Sequence, residues 1–136
     1  MNAPRYLLDT NICIYIQKTK PDRVLRRFEK LTAGEAALSV ISFGELWYGA
    51  EKSTQRQDVQ RMLLELAKTL SVLPFPVEGA LTYGAMRADL EKRGQMIGNN
   101  DLWIAAHAKA AGLVLVSNNI AEFRRVKGLT IENWAV

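Results

Sequence analysis

The chain has 136 residues, 49% of them hydrophobic and 24% charged, so it can bury a core of its own and is expected to form one domain, residues 1–136. Its formal net charge of +4 leans toward a polyanionic partner only if the charge is local, and Arg23, Arg26, Arg27 and Lys30 supply a candidate patch on one helix. A single cysteine, Cys13, excludes an intramolecular disulfide and a cysteine-rich zinc site. With no leader-like start and no apolar run near the roughly 20 residues that span a bilayer, a soluble cytoplasmic protein with no membrane partner is expected.

Residues 5–9 read as a short buried strand ending at Asp9. A helix is expected from Asn11 to about Lys18. Pro21 opens a second, with Val24, Leu25 and Phe28 as its apolar face, because proline suits the first turn. Gly34 breaks the chain before an apolar strand at 36–40. Ser42 is expected to cap the next helix, which carries Glu45, Leu46 and Tyr48, with Gly49 near its end. Residues 54–69 form the clearest amphipathic helix, with Val59, Met62, Leu63, Leu66 and Leu70 at three- and four-residue spacing. Then come a strand at 71–75 stopped by Pro76, a helix at 77–93 ended by Gly94, and a polar loop at 95–100 around Gly98. A helix at 101–111 ends at Gly112, followed by a buried strand at 113–116, a short helix at 118–125 and an edge strand at 129–131. There is no internal repeat and no linker. Strands alternating with helices imply right-handed crossovers and a three-layer α/β/α sandwich on a short, mostly parallel sheet. In such folds the reactive site lies at the carboxyl ends of the strands.

Asp9, Glu45 and Asp101 are each embedded in apolar sequence, where an ionised carboxylate is costly without compensation. The plain reading of Asp9 and Asp101 is helix capping, and of Glu45 a solvated helix position. All three map to the same rim of the sheet, and Asn118 and Asn119 reach it as well. Carboxylates gathered there would repel one another unless a divalent cation joined them, and oxygen-rich sites suit Mg²⁺ or Mn²⁺. Cys13 and the lone His107 read as buried packing residues rather than a catalytic pair. Trp47, Tyr48 and Trp103 could stack on bases, although packing is the plainer role.

The stretch Leu7-Leu8-Asp9-Thr10-Asn11 resembles the opening motif of PIN-domain ribonucleases. Ser42-Phe43-Gly44-Glu45-Leu46-Trp47-Tyr48-Gly49 resembles their second motif, and residues 97–108, from Ile97-Gly98-Asn99-Asn100-Asp101 to His107-Ala108, the third. Residues 116–123, with Ser117, Asn118, Asn119 and Glu122, resemble the fourth, and Ile131-Glu132-Asn133-Trp134 the usual ending. Together these are similar to the VapC toxins of type II toxin–antitoxin pairs, close to the subgroup that cuts initiator tRNA. The resemblance implies a PIN-like nuclease domain in which Asp9, Glu45 and Asp101 are metal ligands, directly or through water, with Asn11 and Ser117 in support. The fourth acidic position is Asn119 here, so Glu122, one helical turn on, is the candidate for the missing carboxylate, and a second ion is less secure than the first.

The expected chemistry is Mg²⁺- or Mn²⁺-dependent hydrolysis of RNA phosphodiesters, with tRNA, and by resemblance the initiator tRNA anticodon loop, as substrate. A VapB-type antitoxin is the expected partner. A homodimer, extending to a larger toxin–antitoxin assembly, is expected too, on the argument that Ile12, Ile14, Tyr15, Ile16, Phe43, Leu46, Trp47 and Tyr48 are more apolar surface than a small domain can cover. The alternatives are a catalytically inactive RNA- or metal-binding scaffold, kept open by Asn119, and a phosphatase or DNA nuclease with the same acids.

Overall fold

The computed structural model describes residues 3–18 and 21–136. Its strands are β1 (Tyr6–Leu8), β2 (Ala36–Ser39), β3 (Ser71–Leu73), β4 (Val114–Val116) and β5 (Ile131–Glu132). They form one wholly parallel sheet in the order β3-β2-β1-β4-β5. The helices are α1 (Thr10–Lys18), α2 (Asp22–Glu29), α3 (Val40–Glu51), α4 (Arg56–Thr69), α5 (Val77–Lys92), α6 (Asn99–Ala111) and α7 (Ile120–Phe123).

Side chains alternate across a strand, and β1 divides accordingly. Tyr6 and Leu8 enter a core with Ile12, Cys13 and Ile16 of α1, Val24 of α2, Leu46 of α3 and Leu63 and Leu66 of α4. Leu7 enters another with Met86 and Leu90 of α5, Leu102, Ile104 and Ala105 of α6 and Phe123 of α7. Helices α1–α4 therefore cover one face and α5–α7 the other, giving the expected three layers. From β1 the chain winds outward to β2 and β3, then returns to add β4 and β5 on the other side. The winding reverses between β1 and β4, which opens a crevice at the carboxyl ends of those two strands.

Several boundaries differ from expectation, each for a local reason. Helix α3 starts at Val40, capped by Ser39, whose extended backbone lets its Oγ accept the Ile41 N–H at 3.1 Å. Ser42 is instead buried inside that helix, and its hydroxyl finds no partner among the described residues. Helix α6 starts at Asn99, two residues before Asp101. Helix α7 has only four residues, because Ser117 and the asparagines form a turn in which Ser117 Oγ accepts the Asn119 N–H at 2.9 Å. Strand β5 is Ile131–Glu132, one residue past the expected edge. On α4 only Leu63 and Leu66 are buried, while Met62, on the flank of the stripe, is 49% exposed.

The apolar surplus assigned to α1 and α3 is mostly absorbed at home. Ile12, Ile16 and Leu46 are buried, and Ile14, Tyr15, Phe43 and Trp47 pack against the same core. Cys13 is fully buried, and burial pushes its thiol far above the usual range. His107 is buried under Phe75, with Nδ1 2.9 Å from Ser39 Oγ, and burial lowers its pKa. Both are packing residues. Among the described residues no helix is long and apolar enough to cross a membrane.

Ser39 thus serves two buried partners. Ser39→Ala removes the cap of α3 and strands the His107 ring nitrogen, so a loss of about 2–3 kcal/mol is expected in urea denaturation. A loss below about 0.5 kcal/mol would mean that neither contact matters to the fold.

Candidate active site

The parallel register pairs Leu8 with Val116, so Asp9 and Ser117 are the next residues along two adjacent strands, at the crevice. Asp9 is 5% exposed. Its Oδ1 accepts the Ile12 N–H at 3.0 Å, and the Asn11 N–H also points to it, which makes it the cap of α1. The Ser117 hydroxyl donates to it too. Burial nevertheless raises the Asp9 pKa, and the charge of Glu45 adds to the rise.

Glu45 comes from the second turn of α3 and is held on both oxygens. Thr10 Oγ1 donates to Oε1 at 2.6 Å, and Asn100 Nδ2 donates to Oε2 at 3.1 Å. It is thereby suspended between the first residue of α1 and the second of α6. Asp101, in the first turn of α6, is half-buried with its pKa pushed up to about 6. Burial is the largest cause, followed by the charges of Glu122, Glu45 and Asp9.

Glu122 faces Asp101 from α7 and shares a hydrogen bond with it. Its Oε1 accepts the Gly98 N–H at 2.8 Å, and its Oε2 accepts from Asn119 Nδ2. The Gly98 N–H is the main reason the Glu122 pKa is lowered, with Asn119, Asp101 and Arg125 assisting against burial. The pair is therefore uneven: below about pH 6 Asp101 is the partner that carries the shared proton, donating it to Glu122. Gly98 lies so close that a Cβ there would meet Asp101 Oδ2 at 3.5 Å and Glu122 Oε1 at 3.7 Å.

The structure brings Asp9, Glu45, Asp101, Ser117, Asn119 and Glu122 to one rim. Asn11 contributes its main chain to Asp9, while the residue itself is exposed. Thr10 and Asn100 were not anticipated as holders of Glu45; their only signal in the sequence is adjacency to Asp9 and Asp101. Among the described residues no three Asp, Glu, His or Cys side chains are drawn together as a closed ion cage. The donors are nonetheless all oxygen. Mg²⁺ commonly takes only one or two carboxylates and keeps several waters, so this rim suits such an ion without a cage. The raised Asp101 pKa records burial first and then the charges of Glu122, Glu45 and Asp9, and a cation would relieve the second part.

The aromatic candidates divide. Trp103 stacks on Tyr83 with ring centroids 3.5 Å apart, and Trp47 packs on Phe43. Tyr48 is 66% exposed. In the basic patch, Arg23, Arg26 and Lys30 are exposed, but Arg27 is paired with Glu132 at 2.9 Å and lies over Trp134, so it closes the fold's end.

The sequence matches the PIN domain family over residues 6–129. It is 44% identical over 130 residues to Ribonuclease VapC2 of Haemophilus influenzae, covering 96% of this chain and 98% of that one. It is 39% identical over 131 residues to a protein of Shigella flexneri named tRNA(fMet)-specific endonuclease VapC, covering 96% and 98% respectively. The fold superposes with a TM-score of 0.88 and 41% identity on a chain of the crystal structure of VapBC2 from Rickettsia felis bound to a DNA fragment from their promoter, covering 95% of this chain and 98% of that one. The chain belongs to the PIN-domain family and, within it, to the VapC ribonucleases.

The titration of Asp101 has a defined sign. Between the ordinary aspartate value of 3.8 and the folded value of about 6, the native state holds a proton that the unfolded chain releases, so its contribution to stability falls as pH rises through that window. With divalent cations chelated, Asp101→Asn is expected to gain stability relative to wild type between about pH 4 and about pH 6, with a constant difference above that. Urea denaturation of both proteins across this range is the measurement, and a difference independent of pH would contradict the crowding of the acids.

Proposed function

We propose that this VapC ribonuclease is a metal-dependent endoribonuclease that hydrolyses phosphodiester bonds of tRNA in the cytoplasm, with initiator tRNA the first candidate, and that a VapB-type antitoxin restrains it. The observation that carries this is the gathering of Asp9, Glu45, Asp101 and Glu122 at the point where the winding reverses, where burial first and the neighbouring acids second push the Asp101 pKa up to about 6. The substrate follows the name of the 39%-identical Shigella relative, and the partner follows the Rickettsia complex. Glu122 also supplies a carboxylate beside Asn119, which weighs against an inactive scaffold.

Asp9, Glu45 and Asp101 would hold the cation, Mg²⁺ or Mn²⁺, with Glu122 completing the charge. When bound, such an ion lowers the pKa of an adjacent water and offsets charge on the phosphoryl oxygens. The chain's own residues set the geometry. Thr10 and Asn100 aim Glu45, Ser117 and the start of α1 fix Asp9, and Gly98 and Asn119 fix Glu122. Below about pH 6 Asp101 must release a proton before it can face a cation, so metal uptake there is coupled to proton release.

The surface favours self-association through α5 and the outer face of α3, where Val40 and Tyr48 are exposed, rather than through α1. Val77 and Leu81, one turn apart on α5, are 81% and 75% exposed, and a homodimer would cover them.

Asp9→Asn and Asp101→Asn are expected to reduce Mg²⁺-dependent tRNA cleavage by about two orders of magnitude or more while the circular dichroism spectrum is retained. An Asp9→Asn enzyme that cuts at the wild-type rate would refute the assignment. Glu122→Gln should cost more activity than Asn119→Ala, because it removes the charge and alters the acceptor of the Gly98 N–H. The reverse order in a Mg²⁺ titration would take Glu122 out of the site.

A further inference from the structure

The connection from α5 to α6, residues 93–98, holds no helix or strand and is mostly exposed. Yet it ends on Gly98, which serves two of the acids. The Gly98 N–H holds Glu122 Oε1 at 2.8 Å. The Gly98 carbonyl accepts the Leu102 N–H at 2.8 Å and so closes the first turn of the helix that carries Asp101. An exposed loop without regular structure places its last residue only as well as its side contacts hold it. From inside, Ile97 is buried in one core with Phe123 and Val126. From outside, two arginines cross over the loop. Arg93, the C-cap of α5, donates through Nη2 to the main-chain oxygen of Arg125 at 2.6 Å and through Nη1 to Gln95 Oε1 at 2.8 Å. Asp89 aims it, accepting from Nε at 3.0 Å and from Nη2 at 2.7 Å. Arg125, just past α7, returns the contact, its Nη1 donating to Met96 O at 2.9 Å. Its main-chain N–H meets Glu122 O at 3.1 Å. Each arginine is thus tied to the other's stretch of backbone, and those two stretches carry Gly98 and Glu122. Arg125 makes no ion pair among the described residues, although Glu122 is three residues away. Its guanidinium is spent on a loop carbonyl instead.

We propose that Arg125 is a positioning residue for the reaction, acting with Arg93 as a cross-clamp that keeps Gly98 against Glu122 and so keeps Glu122 and Asp101 turned to one point. The proposal rests on the metal-dependent ribonuclease function proposed above. A group that aligns a ligand through its hydrogen-bond partner governs metal affinity without touching the metal. Arginine suits the task because its planar fork carries several donors at fixed angles.

Mn²⁺ binding to the full chain, read from the free-ion signal in electron paramagnetic resonance, tests this without any substrate. The charge of Arg125 acts on Glu122, so charge alone predicts tighter cation binding once it is removed. The clamp predicts the opposite. Arg125→Ala should weaken Mn²⁺ binding by about tenfold, and Arg125→Lys, which keeps a donor for Met96 O, should recover most of the loss. Arg124→Ala removes an equal charge one residue away, from a side chain that makes no hydrogen bond or ion pair, and should not weaken Mn²⁺ binding. Hydrogen exchange followed by NMR should show the Gly98 amide exchanging faster in Arg125→Ala while that of Leu115 in β4 is unchanged. With tRNA, the loss should fall on kcat rather than KM. A folded Arg125→Ala protein that binds Mn²⁺ as tightly as wild type, or more tightly, would overturn the clamp. So would one whose Mn²⁺ affinity holds while its KM for tRNA rises, since Arg125 would then be a contact for the RNA backbone. If Arg125→Ala does not fold, Arg93→Met opens the other half of the clamp and is read in the same way. A wild type whose Mn²⁺ binding depends on the clamp but which cuts no RNA sinks the ribonuclease reading and leaves the clamp standing, and one that binds no Mn²⁺ removes both.

Discussion

Four carboxyl groups meet where β1 and β4 part, and like charges that close in a half-buried place resist ionising together. Most of the local structure can be understood as opposition to that repulsion. Helix α1 follows β1 directly and α6 begins two residues before Asp101, so both start at this edge and turn the positive ends of their dipoles toward the acids. Main-chain N–H groups do the rest at two of the four: Ile12 and Asn11 face Asp9, and Gly98 faces Glu122. Asp101 has no such main-chain donor among the described residues, and its pKa is pushed up to about 6. The cost of ionisation thus falls on Asp9 and Asp101, the two acids whose pKa values are raised.

Capping and chemistry are not rival explanations of Asp9. Its Oδ1 closes the first turn of α1, and that same contact fixes the carboxylate in the crevice. Thr10 and Asn100 follow the same economy. Each sits in the first turn of a helix, yet each spends its side chain on Glu45. The cluster is therefore aligned by helix starts, and its geometry is as rigid as the helices behind it.

The alternation of strands and helices, the breaks at Gly34, Gly94 and Gly112 and the apolar runs in β1 and β4 were legible because each depends on local propensity or period. So was the gathering of Asp9, Glu45 and Asp101, since parallel winding sends the end of every strand to one edge. The start of α3 was not legible. Residues 36–41 are apolar apart from Ser39, and in such a run a buried strand and a buried helix look alike. The partnership of Asn100 with Glu45 joins residues 55 apart and has no local trace. The surplus of apolar residues in α1 and α3 misled for the same reason: composition does not say which face a neighbouring helix covers. Ile14, Tyr15, Phe43 and Trp47 are used within the chain, while Val40 and Tyr48 on α3 and Val77 and Leu81 on α5 stay bare.

The connection between α6 and β4 consists of Gly112 and Leu113, with Gly112 in the left-handed region at φ 68° and the Leu113 N–H returned to Ala108 O at 2.9 Å. It fuses the helix that carries Asp101 to the strand that delivers Ser117. One residue inserted there would flip every side chain of β4 to the opposite face, sending Leu115 into the wrong core and carrying Ser117 away from Asp9. The segment after α3 at 52–55 and the one after α5 at 93–98 differ in the same respect. The first touches none of the four site acids, whereas the second carries Gly98, whose N–H holds Glu122. Length variation, and with it the freedom to remodel the surface, is therefore confined by the sheet's winding to the parts of the chain farthest in register from the acids.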